Sequence, residues 1–433
     1  MTNDSKSILT DRRTYLATVG AGTLTALAGC SNNSGDGNGT TDGTTTTGTA
    51  DTSPDEVVVG ANHPLSGGLS RAGTAMSRGA RLAAMHVNDG TAPGFGDGGI
   101  PSLDGAQLTV ETGDNEGSQE LGGEVEQQLI DAGAVAITGC YSSPVTLSAT
   151  QVAEREQVPH VIDVSVANRI LQERQMEYAF RVSPNATRFA TNYADFVPTL
   201  ARNNDQTYDT AGIVYLNNAF GQSIHETLQS ELPNNGVEVL FSDAYSFGQA
   251  SLDTEATKAK QNDPDALIFI GYGNGGIKMM NSLQNVNYRP SLLTGCSTPT
   301  FTSEQVISEI GTFVNGGLGN NYDFNFSLDW TDTIFADYRE QFGDPLEVVH
   351  TSMSYAVIIT IAHAIEEAGT DDPTAIKDAL NTVTVADHPA AMPEISFRED
   401  GENANAITPI HQVQNLEANL VYPQEYAQTE AQF

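Results

Sequence analysis

Apolar runs and helical periodicities alternate along the chain from residue 55 onward. Val57-Val58-Val59-Gly60-Ala61 is an unbroken apolar run and predicts a strand buried on both faces. Met76, Ala80, Ala83, Ala84 and Val87 recur at helical spacing and predict the helix that follows. Residues 107–111 read as the next strand, which ends at Asp114-Asn115-Glu116. A helix, a strand over 134–137, a helix from about Thr146 and a strand over 160–163 complete the run. Strands alternating with helices predict a doubly wound parallel sheet.

The same pattern restarts after Arg181. It predicts helices over 186–200, 220–232, 252–261 and 275–283, and strands over 212–216, 237–241, 266–270 and 291–294. The tail turns helical at 331–342, 352–368 and 373–381. Short strands follow near 394–397, 409–413 and 419–422. Two units of one plan and a late return predict an α/β protein of two doubly wound lobes joined by a hinge, with several crossings.

Composition refines this picture at the surface and at the amino terminus. The 433 residues carry a net charge of −36, and lysine occurs only at 6, 258, 260, 278 and 377. Such acidity fits a disordered chain or a protein of concentrated brine. The hydrophobic share of 39% and the regular alternation favour the second. In molar salt the Debye length is only about 3 Å, so self-repulsion is screened. No basic patch exists to neutralise phosphates, which excludes nucleic acid as a partner.

Residues 1–30 read as an export signal. Asp11-Arg12-Arg13-Thr14-Tyr15-Leu16 is a twin-arginine pattern, and the apolar run over 17–28 is too short to span a bilayer comfortably. Leu27-Ala28-Gly29-Cys30 resembles the lipobox of exported lipoproteins, where lipid would join Cys30. Residues 31–54 are rich in Gly, Thr, Ser, Asn and Asp and predict a disordered tether. Cys140 and Cys296 follow strands of different lobes, so both are expected as free thiols.

Candidate chemistry concentrates at Gly139-Cys140-Tyr141-Ser142-Ser143-Pro144. This stretch links a strand's carboxyl end to a helix start, where unpaired N–H groups and a positive dipole end favour an anion. Ser142 and Ser143 are suited to a carboxylate or another polar head group. The alternative is simple helix capping by Ser143 or Thr146. Gly271-Tyr272-Gly273-Asn274-Gly275-Gly276 matches a dinucleotide fingerprint, but the next strand ends in Gly295-Cys296-Ser297 with no acid for a ribose. Close backbone approach explains these glycines better. The eight histidines show no zinc-ligand spacing, and no phosphate loop occurs. No cofactor or metal is expected.

Several landmarks fall in a familiar order. They are Pro64-Leu65-Ser66-Gly67, Tyr141-Ser142-Ser143, Phe180-Arg181-Val182, Tyr355-Ala356, Ala364-Ile365-Glu366-Glu367-Ala368-Gly369 and Val421-Tyr422-Pro423. From Val57 to about Pro423 the chain resembles the type I extracellular solute-binding proteins of ABC transporters, in the branched-chain amino-acid receptor group. The resemblance implies a first lobe of residues 55–181 plus about 325–395 and a second of 182–324 plus about 396–425. It implies carboxylate binding by Tyr141, Ser142 and Ser143. Ser165 keeps a polar site in the next loop, where Ala167 replaces the family's threonine. Phe220 and Tyr272 match the second lobe's aromatics. Cys296 falls where the family carries an acid for the ligand's ammonium, which puts an α-amino acid ligand in doubt and leaves a neutral amide or a simple carboxylate. The implied protein is not an enzyme. It is a monomeric, lipid-anchored receptor on the outer face of the membrane, delivering a small polar solute to an ABC permease. A sensor of the same fold, or an exported hydrolase, is the alternative.

Overall fold

A computed structural model describes residues 54–343 and 346–433. The twin arginines, Cys30 and the tether up to residue 53 lie outside the described residues.

The first sheet contains β1 (Glu56–His63), β2 (Gln107–Asp114), β3 (Ala136–Gly139), β4 (His160–Ile162) and β5 (Ala179–Arg181). Its order is β2-β1-β3-β4-β5, and every pairing is parallel. Val59 pairs with Val110 on one side and Ala136 on the other, which is why the apolar run around it is unbroken. Helices α1 (Ser70–Asn88), α2 (Gln119–Asp131) and α3 (Ser143–Glu156) make the crossovers. The strand expected over 134–137 is displaced to Ala136–Gly139, and the helix expected near Thr146 starts at Ser143. Pro144 explains the earlier start, because its fixed φ and missing N–H suit a first turn.

The second sheet is built on β6 (Thr210–Leu216), β7 (Glu238–Tyr245), β8 (Ala266–Ile270), β9 (Leu292–Cys296) and β10 (Leu318–Asn320). Helices α4 (Ala186–Asn203), α5 (Ala219–Asn234), α6 (Asp253–Asn262), α7 (Gly273–Asn285) and α8 (Glu304–Ile310) alternate with these strands. After α9 (Asp329–Phe342), α10 (Val348–Ala368) and α11 (Pro373–Leu380), the small hairpin β11 (Thr384–Val385) and β12 (Ile395–Ser396) forms. Then β13 (Ile410–Gln414) and β14 (Glu417–Tyr422) extend the second sheet antiparallel, in the order β14-β13-β10-β9-β8-β6-β7.

Helix α10 is apolar and long enough to cross a membrane, yet it is buried along most of its length and packs on α1. A Cβ at Gly79 would lie 2.7 Å from the Thr351 carbonyl, so glycine there lets the two helices touch. The chain thus returns to the first sheet's helical layer after building most of the second sheet. The crossing segments are tied together. Arg181 N–H donates to the Gly401 carbonyl at 2.8 Å, and the buried Arg181 guanidinium meets Glu402 at 3.0 Å. Cys140 and Cys296 are both free and buried.

Candidate functional site

Strand β3 delivers Gly139 to the first sheet's carboxyl edge, and the chain turns at Tyr141, whose φ of 75° is left-handed. For a bulky side chain that conformation costs roughly 1–2 kcal/mol, so the surrounding contacts must hold it. They do. Ser165 Oγ–H donates to the Tyr141 carbonyl at 3.0 Å, and the Tyr141 ring lies 5.1 Å from Tyr272 and 5.1 Å from His350.

The serine hydroxyls do not cap α3. Ser142 is the N-cap residue, but its side chain accepts no bond from the helix. Its Oγ instead accepts from the Tyr272 hydroxyl at 3.2 Å, joining the first sheet's edge to the second's. Ser143 Oγ accepts from the Ala167 N–H at 3.3 Å. Thr146 Oγ1 bonds to the Ser142 carbonyl and to Ser165 Oγ. Pro144 has no N–H, and the Val145 and Thr146 N–H groups donate to the Ser142 carbonyl, so the helix start offers a ligand its positive dipole end and the Ser142 and Ser143 hydroxyls.

The facing wall is aromatic. Tyr272 precedes α7 and stacks on Phe220 at 5.3 Å and 14°. Phe247 meets the Tyr272 ring edge on and is 58% exposed. Two cavities of about 30 Å³ each flank the ring contact between Tyr141 and Tyr272. One is lined by Ser143, Val166, Phe220, Ser297 and Tyr322, the other by Gly68, Arg71, Ser303 and Glu347; Tyr141, Tyr272, Pro299 and His350 border both. Each has room for about one water molecule. The cleft is closed, and the Asn274 amide fastens its rim by donating to the Gly68 carbonyl at 3.0 Å.

Tyr141, Ser143, Phe220 and Tyr272 thus converge as the sequence suggested, and Ser142 joins them through Tyr272. Ser165 and Ala167 stand one layer behind; the Ala167 carbonyl is occupied by Arg181 at 2.9 Å. Cys296 is corrected. It ends β9 fully buried, paired in register with Asn320, and lines neither cavity. Burial also pushes its thiol well above the usual range. The neighbour Ser297 reaches the cavity instead.

An acid does reach the cleft, from a place the sequence reading missed. Glu347 precedes α10, caps it through the His350 N–H at 3.0 Å, and pairs with His350 Nδ1 at 2.8 Å. Burial raises its pKa, but the His350 charge and hydrogen bonds outweigh that and hold it below the ordinary carboxylate value. The available signal was the Glu-x-x-His spacing at a helix start.

Comparison with known proteins follows from this geometry. The sequence profile of the periplasmic binding protein family matches residues 56–415. The chain belongs to that family. This periplasmic binding protein is 23% identical, over 87% of its length and 93% of the relative's, to a Leu/Ile/Val-binding protein homologue (homolog 8) of Brucella melitensis. Its fold is shared with LivJ, the branched-chain amino-acid transporter substrate-binding protein of Streptococcus pneumoniae solved with isoleucine. That match has a TM-score of 0.70 at 19% identity, covering 84% of this chain and 97% of the other. A solute-binding protein of an ABC transporter from R. palustris, solved with benzoate, matches with a TM-score of 0.71 at 15% identity, covering 87% and 98%. The protein accordingly has the type I fold of these solute-binding proteins, within the family that its sequence profile shows.

In this binding protein the glycines of 271–276 serve packing. A Cβ at Gly271 or Gly275 would collide with the Tyr245 hydroxyl, and one at Gly276 with Thr300 Oγ1. They let the start of α7 lie against these side chains, as the absence of a ribose-binding acid suggested. Among the described residues, five histidines lie within hydrogen-bond distance of carboxylates, among them His63 with Asp163 and His160 with Glu126.

Proposed function

We propose that the protein captures a small solute bearing a carboxylate, in a cleft between a lobe of residues 55–181 plus about 325–395 and a lobe of 182–324 plus about 396–425. The single observation that supports this most is the Tyr272 hydroxyl on Ser142 Oγ, which joins an aromatic wall to a helix start directed into the same closed space. The solute's carboxylate displaces Tyr272 from Ser142 and sits at the positive end of α3, accepting from the Ser142 and Ser143 hydroxyls. Its apolar body lies between Tyr141, Phe220 and Tyr272. Isoleucine and benzoate, the ligands of two structural neighbours, have the carboxylate in common. Closure is a population shift driven by contacts that the closed form alone makes.

In this reading the protein acts by binding and not by catalysis, and works as a monomer. Lipid on Cys30 holds it at the outer face of the membrane, with residues 31–54 as tether, and the closed form docks on an ABC permease. The halophilic surface belongs to the same reading. Mass spectrometry of small molecules released from the purified protein, followed by calorimetric titration with the recovered compound, tests the capture. Recovery of a compound without an acidic group, bound as tightly by the Ser143→Ala variant, refutes it. Loss of membrane retention in Cys30→Ser tests the anchor, and circular dichroism during removal of salt tests the brine adaptation.

A further inference from the structure

A second cavity lies directly behind the cleft wall. Ser303, the N-cap residue of α8, and Glu347, the N-cap residue of α10, both border the cleft. Both have extended backbone, with φ of −101° and −96°, so their chain neighbours point to the opposite side. Thr302 and Glu304, and likewise Leu346 and Val348, line that far cavity. The wall between the two spaces is therefore one residue thick. It is also one piece, because the Ser303 side chain hydrogen-bonds the Glu347 carboxylate. The far cavity measures about 320 Å³, against about 30 Å³ for each space in the cleft. Ligand pockets run from roughly 300 to 1,000 Å³, so a small organic molecule fits.

Its chemistry differs from that of the cleft. Asp323, which is buried, and Glu304, at the mouth, supply two carboxylates, and Arg339 is the single guanidinium among the described lining residues. Arg339 stands 5.9 Å over the Phe335 ring, and Phe326 meets that ring edge on. Burial and the charges of Glu417 and Asp323 raise the Glu304 pKa, and Arg339 does not cancel this. Negative potential thus remains in a space whose other walls are largely apolar. Among the described residues no group of acids, histidines or cysteines is placed to hold a metal ion, which favours an organic cation. We propose that this cavity is a second binding site, which takes a small organic ammonium with its charge against Glu304 and Asp323 and its apolar body against Phe335 and Leu346. Its walls come from both sheets' layers, since α8 packs on α7 and β14, and α10 packs on α1. An occupant touching Glu304 and Val348 ties these layers together in the closed arrangement, so occupancy favours closure of the cleft.

Calorimetric titration of the protein, dialysed free of bound solute and held at one salt concentration, tests the site with three matched probes: n-butylammonium, butan-1-ol and butanoate. Butylammonium should bind about tenfold or more tighter than the other two, as one hydrogen bond between charged groups implies. Glu304→Gln should remove most of that preference. Glu304 is exposed and does not cap α8, so thermal melts should show this variant folded like the wild type. Ala418→Phe fills the cavity without touching a charge and should abolish butylammonium binding; should it fail to fold, Glu304→Gln carries the test. Small-angle X-ray scattering reads the tie to closure: saturating butylammonium should lower the radius of gyration, and butan-1-ol should not. No measurable butylammonium binding, equal affinity for the three probes, or a preference that survives Glu304→Gln would overturn the site. Binding that leaves the radius of gyration unchanged would overturn the tie to closure alone. None of these results bears on the carboxylate site at α3, which the Ser143→Ala titration tests separately.

Discussion

The two sheets bury polar groups of different kinds. Under the carboxyl ends of β1, β3 and β4 the groups are ionisable. Glu126 accepts from Asn62 at 2.8 Å and pairs with His160 at 2.7 Å; Asp163 pairs with His63 at 3.1 Å and accepts from Ser354 at 2.8 Å. In the second sheet the buried chain is made of hydroxyls. Tyr193 bonds to Tyr208 at 2.5 Å and to Thr294 at 2.6 Å, and Thr294 passes on to the Leu267 carbonyl at 3.1 Å. One buried histidine–carboxylate contact enters that lobe's edge with β13, where His411 meets Asp323 at 2.6 Å. Charges tie α2, α10 and three strands into one arrangement, because each charge is intolerable without its partner. The hydroxyl chain satisfies its members at lower stakes, behind a wall whose contribution to the cleft is aromatic surface.

Removing one charge is the strongest way to break this contrast. Glu126→Ala leaves His160 buried without its counter-ion and should cost about 3–5 kcal/mol of stability. Tyr193→Phe removes one hydroxyl from the second sheet and should cost about 1 kcal/mol. Urea denaturation of both variants in the same salt measures the difference. Equal losses would show that the two interiors are energetically alike.

Ligand affinity separates the walls next. Ser143→Ala removes an acceptor that holds Ala167 N–H and a neighbour of the proposed carboxylate, and Tyr272→Ala removes the aromatic face. Each should weaken binding of the recovered solute by roughly ten- to a hundredfold. Calorimetry beside melts of the ligand-free variants checks this. An effect from one wall alone would mean the solute is held by a single lobe.

A pH series sharpens the contrast further. Burial pulls the His160 pKa down, but Glu126 and the Gly139 carbonyl outweigh it, leaving the value above 6.5. The pair therefore adds stability that is full below pH 6.5 and lost as pH rises through the raised folded value. Asp163 is the opposite case. Burial raises it, His63, Ser354 and the Val164 N–H lower it further, and its contribution is present above about 3.8 and lost as pH falls through the depressed value. Denaturation midpoints against pH should decline on both sides in the wild type, and the alkaline decline should flatten in His160→Gln. An unchanged alkaline limb in that variant would remove His160 as its cause.

These differences bear on what the sequence made legible. Continuous runs such as 57–61 and 266–270 identified strands because both faces of these strands are buried, and the helical periods between them gave the two-sheet order. The short strands β5 and β10, three residues each, carry too little pattern to stand out. At the site, Ser142 and Ser143 stood out from their place between a strand and a helix, and Tyr141, Phe220 and Tyr272 from the family resemblance; the structure brings these side chains together. Cys296 was misplaced by a single residue, since Ser297 takes the position facing the cavity. Glu347 was missed because the chain returns to the cleft only after the whole second sheet is built. The ion pairs of the first sheet were invisible for a similar reason. His63 and Asp163 are 100 residues apart, and nothing local marks either as a partner.

The smallest expected effect lies at the rim, where the walls meet in solvent. Arg71 pairs with Glu309 across the cleft, with side chains 37% and 47% exposed. An exposed pair contributes about 0–1 kcal/mol, and salt screens it. Arg71→Ala should therefore leave the melting temperature nearly unchanged. The pair links α1 to α8 at the rim, so its loss should appear as weaker ligand binding, by less than about fivefold at low ionic strength. In molar salt, where the Debye length is about 3 Å, the variant and wild type should bind alike. The neighbouring clasp of Asn274 on the Gly68 carbonyl is uncharged, so Asn274→Ala should weaken binding to a similar degree at both salt concentrations. Titrations of the two variants across salt concentration decide between an electrostatic rim and a hydrogen-bonded one. A salt-independent loss in Arg71→Ala would assign its role to packing against the Glu347 cavity and not to its charge.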